Sequence, residues 1–197
     1  MKCSPGWDLD YNDCHNLGKG VNGESRMSVI NANGVLGGKV AMITGASRGI
    51  GDALARRYAM EGARVVVSAR TVQGGDHYLP GSINETVADI VAAGGEAIAV
   101  KADLALAEDR QGLVDSAIDA YGAVDILVNN AAITYFIPVT DFPEKRFRLM
   151  MDVQVWAPFE LAQLVVPHMR ERGSGWTLGG SSHAALHPET AAPGRGG

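Results

Sequence analysis

The stretch ITGASRGIG, residues 43–51, constrains the fold most, because three glycines separate an apolar segment from an amphipathic one. Residues 39–44, which lead into it, form a short apolar run that predicts a buried strand. Residues 49–62 follow with apolar side chains at helical spacing and a closing glycine, which predicts a helix. The core-facing side of that helix is predicted to carry Ile50, Leu54 and Tyr58.

The three glycines have separate roles in a turn of this kind. Gly45 permits the tight turn, and Gly49 lets the backbone approach a bound diphosphate. Gly51 lets the helix pack closely on the sheet, while the helix N-terminus offers unpaired N–H groups and a positive dipole end to the anion. A strand before the glycines and a helix after them are the context that a dinucleotide-binding turn requires. Further contacts to the dinucleotide are predicted for Ser47, Arg48 and Ile50.

Strands and amphipathic helices continue to alternate after this unit. The alternation predicts an α/β fold, a Rossmann-type doubly wound parallel sheet with helices on both faces. Its crossovers should be right-handed, and ligands should bind beyond the carboxyl ends of the strands. The last strand is expected to form an unprotected edge of the sheet. The further strands are predicted at 63–70, 96–104, 124–130 and 176–182.

The helices between these strands carry recognisable start signals. Ser82 and Glu85 form a capping-box pattern ahead of the second helix. A long helix is predicted to begin near Pro143 and to reach about Arg172, with a kink at Pro158. Its expected cap is Thr140 or Asp141. The third helix is predicted to bury Leu113, Val114, Ala117, Ile118 and Tyr121.

The chain divides into two parts by composition. Residues 1–36 are rich in glycine, asparagine and serine and are expected to form a flexible leader, with Met27 as an alternative start. Residues 37–197 are expected to form one NAD(P)-binding domain without internal repeats. Cys3 and Cys14 lie in the leader, where two reduced thiols are the simplest interpretation.

Charge and hydropathy exclude several classes of function. The formal net charge is -5 and the pI about 5.5, which disfavours nucleic acid and anionic membranes as partners. No apolar run approaches the roughly 20 residues of a membrane span. The N-terminus shows no signal-peptide segment, so a cytoplasmic location is expected. His183 and His187 lack a third ligand at suitable spacing, so no metal site is predicted.

Four motifs in order resemble the classical short-chain dehydrogenases/reductases. Residues 44–51 resemble the Thr-Gly-x-x-x-Gly-x-Gly motif of that family. Asp103 and Leu104 end the third strand, where the family holds the adenine ring. Residues 129–132, NNAA, resemble the family's Asn-Asn-Ala-Gly, and Asn130 is expected to contact the cofactor. Residues 181–182 resemble the serine pair that ends its fifth strand. The resemblance implies an NAD(P)-dependent oxidoreductase acting on a carbonyl or alcohol.

The charge at the end of the second strand favours NADP over NAD. An NAD-selective fold has an acidic residue there to hold the ribose hydroxyls. This chain instead has Arg70, and Arg48 lies in the preceding turn. Guanidinium groups are well suited to a 2′-phosphate. The alternative is that both arginines are solvated surface residues.

The resemblance also implies a catalytic group of asparagine, serine, tyrosine and lysine. Ser182 matches the serine, and Gln154 stands where the family has the asparagine. The chain has five tyrosines, none of which is followed by lysine four positions later. We therefore interpret the chain as ending before the Tyr-x-x-x-Lys motif, with the C-terminal strands and helices of the fold missing and without turnover of its own.

Two further expectations complete the sequence-based hypothesis. Residues 133–139 and 183–188 should line the mouth of a site for a small carbonyl or alcohol. The long helix matches the usual packing surface of the family, so the full-length protein is expected to form a homo-oligomer. A non-catalytic dinucleotide-binding or sensor protein remains the alternative, favoured by Gln154, by Ala132 in place of the family's glycine and by the missing tyrosine–lysine pair.

Overall fold

The computed structural model describes residues 30–75 and 80–180, which contain a five-stranded parallel sheet with helices on both faces. The strand order is β3-β2-β1-β4-β5, so the chain reverses direction across the sheet between β1 and β4. The predicted doubly wound Rossmann-type fold is confirmed. The strands are β1 Val40–Thr44, β2 Arg64–Ala69, β3 Ala97–Lys101, β4 Ile126–Asn129 and β5 Trp176–Gly179.

The described residues contain five helices, which are α1 Gly49–Met60, α2 Ile83–Ala92, α3 Ala107–Tyr121, α4 Glu144–Met151 and α5 Ala157–Glu171. Four of them cover the two faces of the sheet in pairs, α1 with α2 and α3 with α5, whereas α4 buries no residue. A short 3-10 turn, Val139–Asp141, precedes α4, and a π-helical turn, Asp152–Trp156, joins α4 to α5. The predicted cap of α2 is present, because the Ser82 hydroxyl accepts a hydrogen bond from the Glu85 N–H at 3.2 Å.

Alternate residues of each strand feed two separate cores. In β1, Val40 and Met42 face the core formed with α3 and α5, whereas Ala41 and Ile43 face the core formed with α1 and α2. All of these side chains are fully buried. A strand buried on both faces must be apolar throughout, which explains the continuous apolar runs in the sequence. β5, by contrast, lies at the edge of the sheet with its residues exposed, as expected.

The buried face of α1 differs from the predicted one. Gly51, Ala55 and Ala59 face the sheet, whereas Ile50 is 74% exposed. Small residues let the helix axis approach the sheet closely, so the larger side chains are displaced to the flanks. Leu54 is only partly buried there, and the prediction of an apolar stripe starting at Ile50 was wrong.

The long helix begins and bends differently from expectation. Pro143 occupies its N-cap position without a side-chain cap, so the assignment of the cap to Thr140 or Asp141 was wrong. Those two residues belong to the preceding 3-10 turn. The distortion expected at Pro158 is the π-helical turn just before it, in which the Ala157 N–H bonds to the Asp152 carbonyl. Pro158 has no N–H, which removes the α-helical donor for the carbonyl of Gln154.

The packed part of the chain starts before the predicted domain boundary. The Asn31 N–H donates to the Met60 carbonyl at 2.9 Å, and the Leu36 N–H donates to the Glu61 carbonyl at 3.0 Å. The Leu36 side chain also packs on the core beside α1. Residues 30–38 therefore cap the end of α1, although part of this segment was assigned to the leader. Residues 1–29, including Met27, Cys3 and Cys14, lie outside the described residues.

By length and apolar composition alone, one helix in the described part of the chain, Glu144–Glu171, would suffice to cross a membrane. Core helices of water-soluble proteins pass the same test. In this helix Ala157, Leu161 and Val165 are fully buried in the core against the sheet.

Candidate functional site

A cleft of about 600 Å³ opens beyond the carboxyl ends of the strands, at the point where the strand order reverses. This is the position at which doubly wound folds bind their ligands. The cleft brings together seven of the residues predicted from the sequence: Gly45, Ser47, Arg48, Arg70, Asp103, Leu104 and Asn130. Gly49, Ile50 and Gly51 form the start of α1 and do not line the cleft itself. Ser182 lies outside the described residues.

The glycine turn has the backbone shape that only glycine accommodates without strain. Gly45 and Gly49 have φ angles of +67° and +59°, in the left-handed region. A Cβ on Gly45 would lie 2.8 Å from the Cα of Ala131, whereas a Cβ on Gly49 would meet nothing within 4 Å. No described residue therefore obstructs the space beside Gly49, and the approach of a diphosphate to this glycine stays a prediction.

Gly51 packs against the turn rather than against a strand. A Cβ at this position would collide with the carbonyl oxygen of Gly45 and would lie 2.5 Å from the side-chain nitrogen of Asn130. The absence of a side chain thus lets α1 sit directly on the glycine turn. The sequence analysis predicted that Gly51 lets the helix pack closely on the sheet. The packing at Gly51 is indeed close, but its partners are the glycine turn and Asn130, the residue after β4.

Asn130 joins the end of β4 to the end of β1. Its side-chain nitrogen donates to the carbonyls of Thr44 and Gly45 at 2.9 and 3.1 Å. Its backbone N–H donates to the Thr44 hydroxyl at 3.1 Å, and that hydroxyl donates to the Val128 carbonyl at 3.2 Å. These bonds hold the two sides of the reversal point together. Asn130 therefore shapes the turn as well as lining the cleft.

The turn after β3 is held by two side chains of α3 that the sequence analysis did not single out. Asp109 accepts a hydrogen bond from the Asp103 N–H at 2.7 Å. Arg110, which is 4% exposed, donates to the Leu104 carbonyl at 2.6 Å and is paired with Glu160 of α5. The acidic first turn of α3 was the signal in the sequence from which the contact of Asp109 could have been predicted. Nothing local in the sequence marks Arg110 as buried.

The two arginines of the predicted phosphate site have different surroundings. Arg70 is exposed, and no hydrogen bond or ion pair to a described residue involves its side chain. Arg48 instead donates to the hydroxyl of Thr71 and to the carbonyls of Pro80 and Gly81, at 3.1 to 3.2 Å. Both side chains line the cleft.

A polar network supports the glycine turn from the side of α2. The buried hydroxyl of Thr86 lies 2.7 Å from a carboxylate oxygen of Asp52 and 3.2 Å from the carbonyl of Ala46. Arg56 forms ion pairs with Asp52 and Asp89. Burial alone lowers the pKa of the Arg56 guanidinium, but the two carboxylates raise it by more. Arg56 therefore stays charged and links α1 to α2.

Gln154 lies in the π-helical turn and contacts the loop after β4. Its side-chain oxygen accepts a hydrogen bond from the Ile133 N–H at 2.9 Å, although the side chain itself is exposed. Ile133 and Val153 line the cleft, whereas Gln154 does not. The predicted catalytic position is thus near the cleft and fixes the loop beside it.

The loop that follows β4 forms an exposed apolar rim. Tyr135 packs edge-on against Phe142, with ring centroids 6.3 Å apart, and beneath the Arg146 guanidinium at 4.7 Å. Phe136 and Val139 are 95% and 93% exposed. The second predicted substrate segment, 183–188, lies outside the described residues. Within the described parts of the chain, no group of three or more histidine, cysteine, aspartate or glutamate side chains could hold a metal ion.

Comparison with known proteins connects this geometry to a family. Over 139 residues the chain is 40% identical to an uncharacterised oxidoreductase of Methylorubrum extorquens, covering 71% of this chain and 53% of that protein. Over 154 residues it is 38% identical to human dehydrogenase/reductase SDR family member 4, covering 78% of this chain and 52% of that protein. The chain thus spans about half the length of these curated relatives.

Structural comparison agrees. The crystal structure of a metagenomic short-chain oxidoreductase in complex with NADP superposes with a TM-score of 0.67 at 35% identity, covering 74% of this chain and 62% of that one. Residues 39–193 match the model of the short chain dehydrogenase family. The chain belongs to the short chain dehydrogenase family, whose members are oxidoreductases.

Proposed function

We propose that the protein is an NADP-dependent oxidoreductase that interconverts a small carbonyl compound and the corresponding alcohol. The observation that supports this most directly is the cleft, which joins a glycine turn to the ends of four parallel strands. When bound, the nicotinamide cofactor supplies the hydride that is transferred to or from the substrate carbon.

The residues present fit such a cofactor. The N-cap of α1, Arg48, makes no side-chain capping bond, so the first N–H groups of the helix have no acceptor of that kind. Together with the open backbone at Gly49, they form a cradle suited to a diphosphate. Asp103 and Leu104 line the same cleft and would hold the adenine ring. Asn130 would support the turn from below through its two carbonyl contacts.

The preference for NADP follows from charge at the end of β2. Residues 68–70 contain no carboxylate that could bind the ribose hydroxyls of NAD. Arg70 and Arg48 place positive charge at the cleft instead. The NADP complex of the structural relative supports this choice of cofactor.

For catalysis we propose Ser182 as a hydrogen-bond donor to the substrate oxygen and Gln154 as the residue in the asparagine position. Gln154 keeps the loop after β4 in place through Ile133. The sequence contains no Tyr-x-x-x-Lys pair to exchange the proton. We therefore expect the 197-residue chain to bind dinucleotide without turning over.

Titration calorimetry of the chain with NADPH and with NADH tests the cofactor assignment. Tighter binding of NADPH is expected, and equal affinities would contradict it. A spectrophotometric assay with NADPH and a panel of apolar aldehydes and ketones tests the second expectation. Carbonyl reduction by this chain would show that it needs no further proton donor.

A non-catalytic dinucleotide-binding or sensor protein is the second candidate, favoured by the glutamine at position 154 and by Ala132. Reading the coding sequence downstream of Gly197 distinguishes the two. A Tyr-x-x-x-Lys motif in frame supports the oxidoreductase, and a stop codon supports the second candidate.

We further propose a cytoplasmic protein that forms homo-oligomers when full length. The outward face of the long helix supports the formation of oligomers, because its large apolar side chains are about half exposed. Trp156 and Phe159 pack on each other there, with ring centroids 5.7 Å apart. The exposed members of this face are Phe147, Met151, Val155, Trp156 and Phe159.

A further inference from the structure

Arg110 of α3 is a buried charge between α5 and the turn that follows β3. It is 4% exposed, and its Nε atom donates to a carboxylate oxygen of Glu160 in α5 at 2.6 Å. Its Nη2 atom pairs with the same oxygen. On its other edge, the Nη1 atom donates to the Leu104 carbonyl at 2.6 Å. One guanidinium thus connects Glu160 to Leu104, which lines the cleft although Arg110 and Glu160 do not.

The turn after β3 depends on side chains for its hydrogen bonds. Asp109 accepts the Asp103 N–H at 2.7 Å, and the Asp103 carboxylate accepts the Ala105 N–H at 3.1 Å. The Leu104 carbonyl between them is bonded to Arg110. Because this turn forms one wall of the cleft, these contacts determine the shape of that wall.

Stability of the core gives no reason for a charged pair at this position. The two helices that carry the pair also contribute Leu113, Val114 and Leu161 to one apolar core. Replacement of a buried ion pair by apolar side chains of similar volume is often neutral or stabilising, whereas removal of one partner alone is costly. An apolar pair would, however, leave the Leu104 carbonyl without its donor. The bond to the turn is therefore what the charged pair provides and an apolar pair would not.

We infer that Arg110 is a positioning residue, which shapes the wall for the adenosine half of the dinucleotide through the Leu104 carbonyl, and that Glu160 keeps Arg110 in place. This inference rests on the proposed dinucleotide-binding function. Glu160 thus influences cofactor affinity from α5, a helix that is described throughout and contributes no lining residue to the cleft. NADP and NAD share the adenosine half, so both affinities depend on the pair to the same extent.

The experiment separates affinity from stability with the double variant Arg110→Met, Glu160→Met of the 197-residue chain. We expect its urea unfolding midpoint to stay close to that of the parent chain, because both buried charges are removed together. The dissociation constants for NADP⁺ and NAD⁺, measured by calorimetric titration, should both rise about three- to tenfold, since the wall of the cleft loses a hydrogen bond. ADP contains the adenosine and the diphosphate without the nicotinamide, and its dissociation constant should rise by the same factor.

An exposed ion pair of α4 provides the matched control. The side chains of Arg148 and Glu144 are 73% and 75% exposed, and the double variant Arg148→Met, Glu144→Met removes the same two kinds of side chain. Its three dissociation constants should equal those of the parent chain. Amide hydrogen exchange without ligand gives a second readout, because the Ala105 N–H lies in the turn that Arg110 holds. This amide should exchange faster in the buried-pair variant and at the parental rate in the control.

If the double variant does not fold, Arg110→Lys replaces it. Lysine keeps the charge beside Glu160, but its single nitrogen lacks the separate donors with which the guanidinium reaches Glu160 and Leu104 at once. A smaller parallel loss of all three affinities is expected. Unchanged affinities in the folded variant would overturn the inference, as would a loss that spares ADP or that also occurs in the control. Failure of the parent chain to bind either dinucleotide would overturn the proposed function, and the inference with it.

Discussion

The side-chain oxygen of Gln154 accepts a hydrogen bond from the backbone N–H of Ile133 at 2.9 Å. The bond joins the π-helical turn between α4 and α5 to the loop that lines the cleft after β4. Gln154, which the sequence analysis predicted to stand in the position of the family's asparagine, thus has a defined contact in this chain.

Replacement of Gln154 by leucine should accelerate hydrogen exchange at the Ile133 amide, because the acceptor is lost. The free energy of unfolding should fall by only about 1 kcal/mol, since the side chain is exposed. Gln154→Glu is the matched control, because its carboxylate reaches equally far and still accepts the bond. Equal exchange rates in the two variants would contradict the assigned contact.

Gly51→Ala should destabilise the protein by about 2 kcal/mol or more, because the new Cβ meets backbone and the Asn130 amide and the turn has little room to shift. Gly112→Ala in α3 serves as control. A Cβ on Gly112 meets nothing within 4 Å, so alanine should stabilise this helix by about 0.5–1 kcal/mol. Urea denaturation followed by circular dichroism measures both. Similar effects of the two substitutions would argue against close packing at Gly51.

Asn130→Ala should lower the free energy of unfolding by about 1–3 kcal/mol, because two carbonyls at the reversal point lose their donor. Dinucleotide affinity should fall as well, since the glycine turn loses its support. Asn33→Ala, at an exposed position, is expected to change stability by less than about 0.5 kcal/mol. Calorimetric unfolding and NADP⁺ titration of both variants test this, and unaltered affinity in Asn130→Ala would refute the supporting role.

The ion pair between Arg110 and Glu160 should matter far more than a similar pair on the surface. Arg110 is 4% exposed, and Arg110→Met leaves Glu160 without its partner, which should cost about 3–5 kcal/mol. Arg148→Met breaks a pair with Glu144 whose side chains are 73% and 75% exposed, and should cost less than about 1 kcal/mol. Urea unfolding of the two variants side by side measures the difference. Equal losses would mean that the α3–α5 pair contributes no more than a solvated one.

Tyr121 should ionise above the ordinary tyrosine pKa of 10.0. Burial raises its pKa, the charge of Glu96 raises it further, and Arg64, whose guanidinium lies 5.3 Å from the ring, partly opposes this. The unfolded chain therefore loses its proton first, so stability present below pH 10 should decline as the pH rises through the folded pKa. Ultraviolet titration of Tyr121→Phe against the parent chain isolates this ionisation, and Glu96→Gln should lower the pKa. A Tyr121 pKa at or below the ordinary value would rule this out.

The order of elements and their types follow from local patterns. Continuous apolar runs mark strands buried on both faces, and the glycine turn between a strand and a helix marks the ligand-binding end of the sheet. Seven predicted cofactor residues meet in one cleft because the carboxyl ends of parallel strands share one edge. Prediction failed where small residues decided the packing, as at Ala55 and Ala59, because apolar size is a poor guide to the face that lies closest to a sheet.

The sequence by itself determined the fold class, the glycine turn and the absence of a Tyr-x-x-x-Lys pair, since each depends on neighbouring residues. Only the tertiary structure decided that Arg48 is engaged by Thr71 and Gly81 while Arg70 is not, and that Gln154 holds Ile133. Those contacts join residues 21 to 33 positions apart. Such pairs come together only when strands and helices pack, and local propensity contains no information about their geometry.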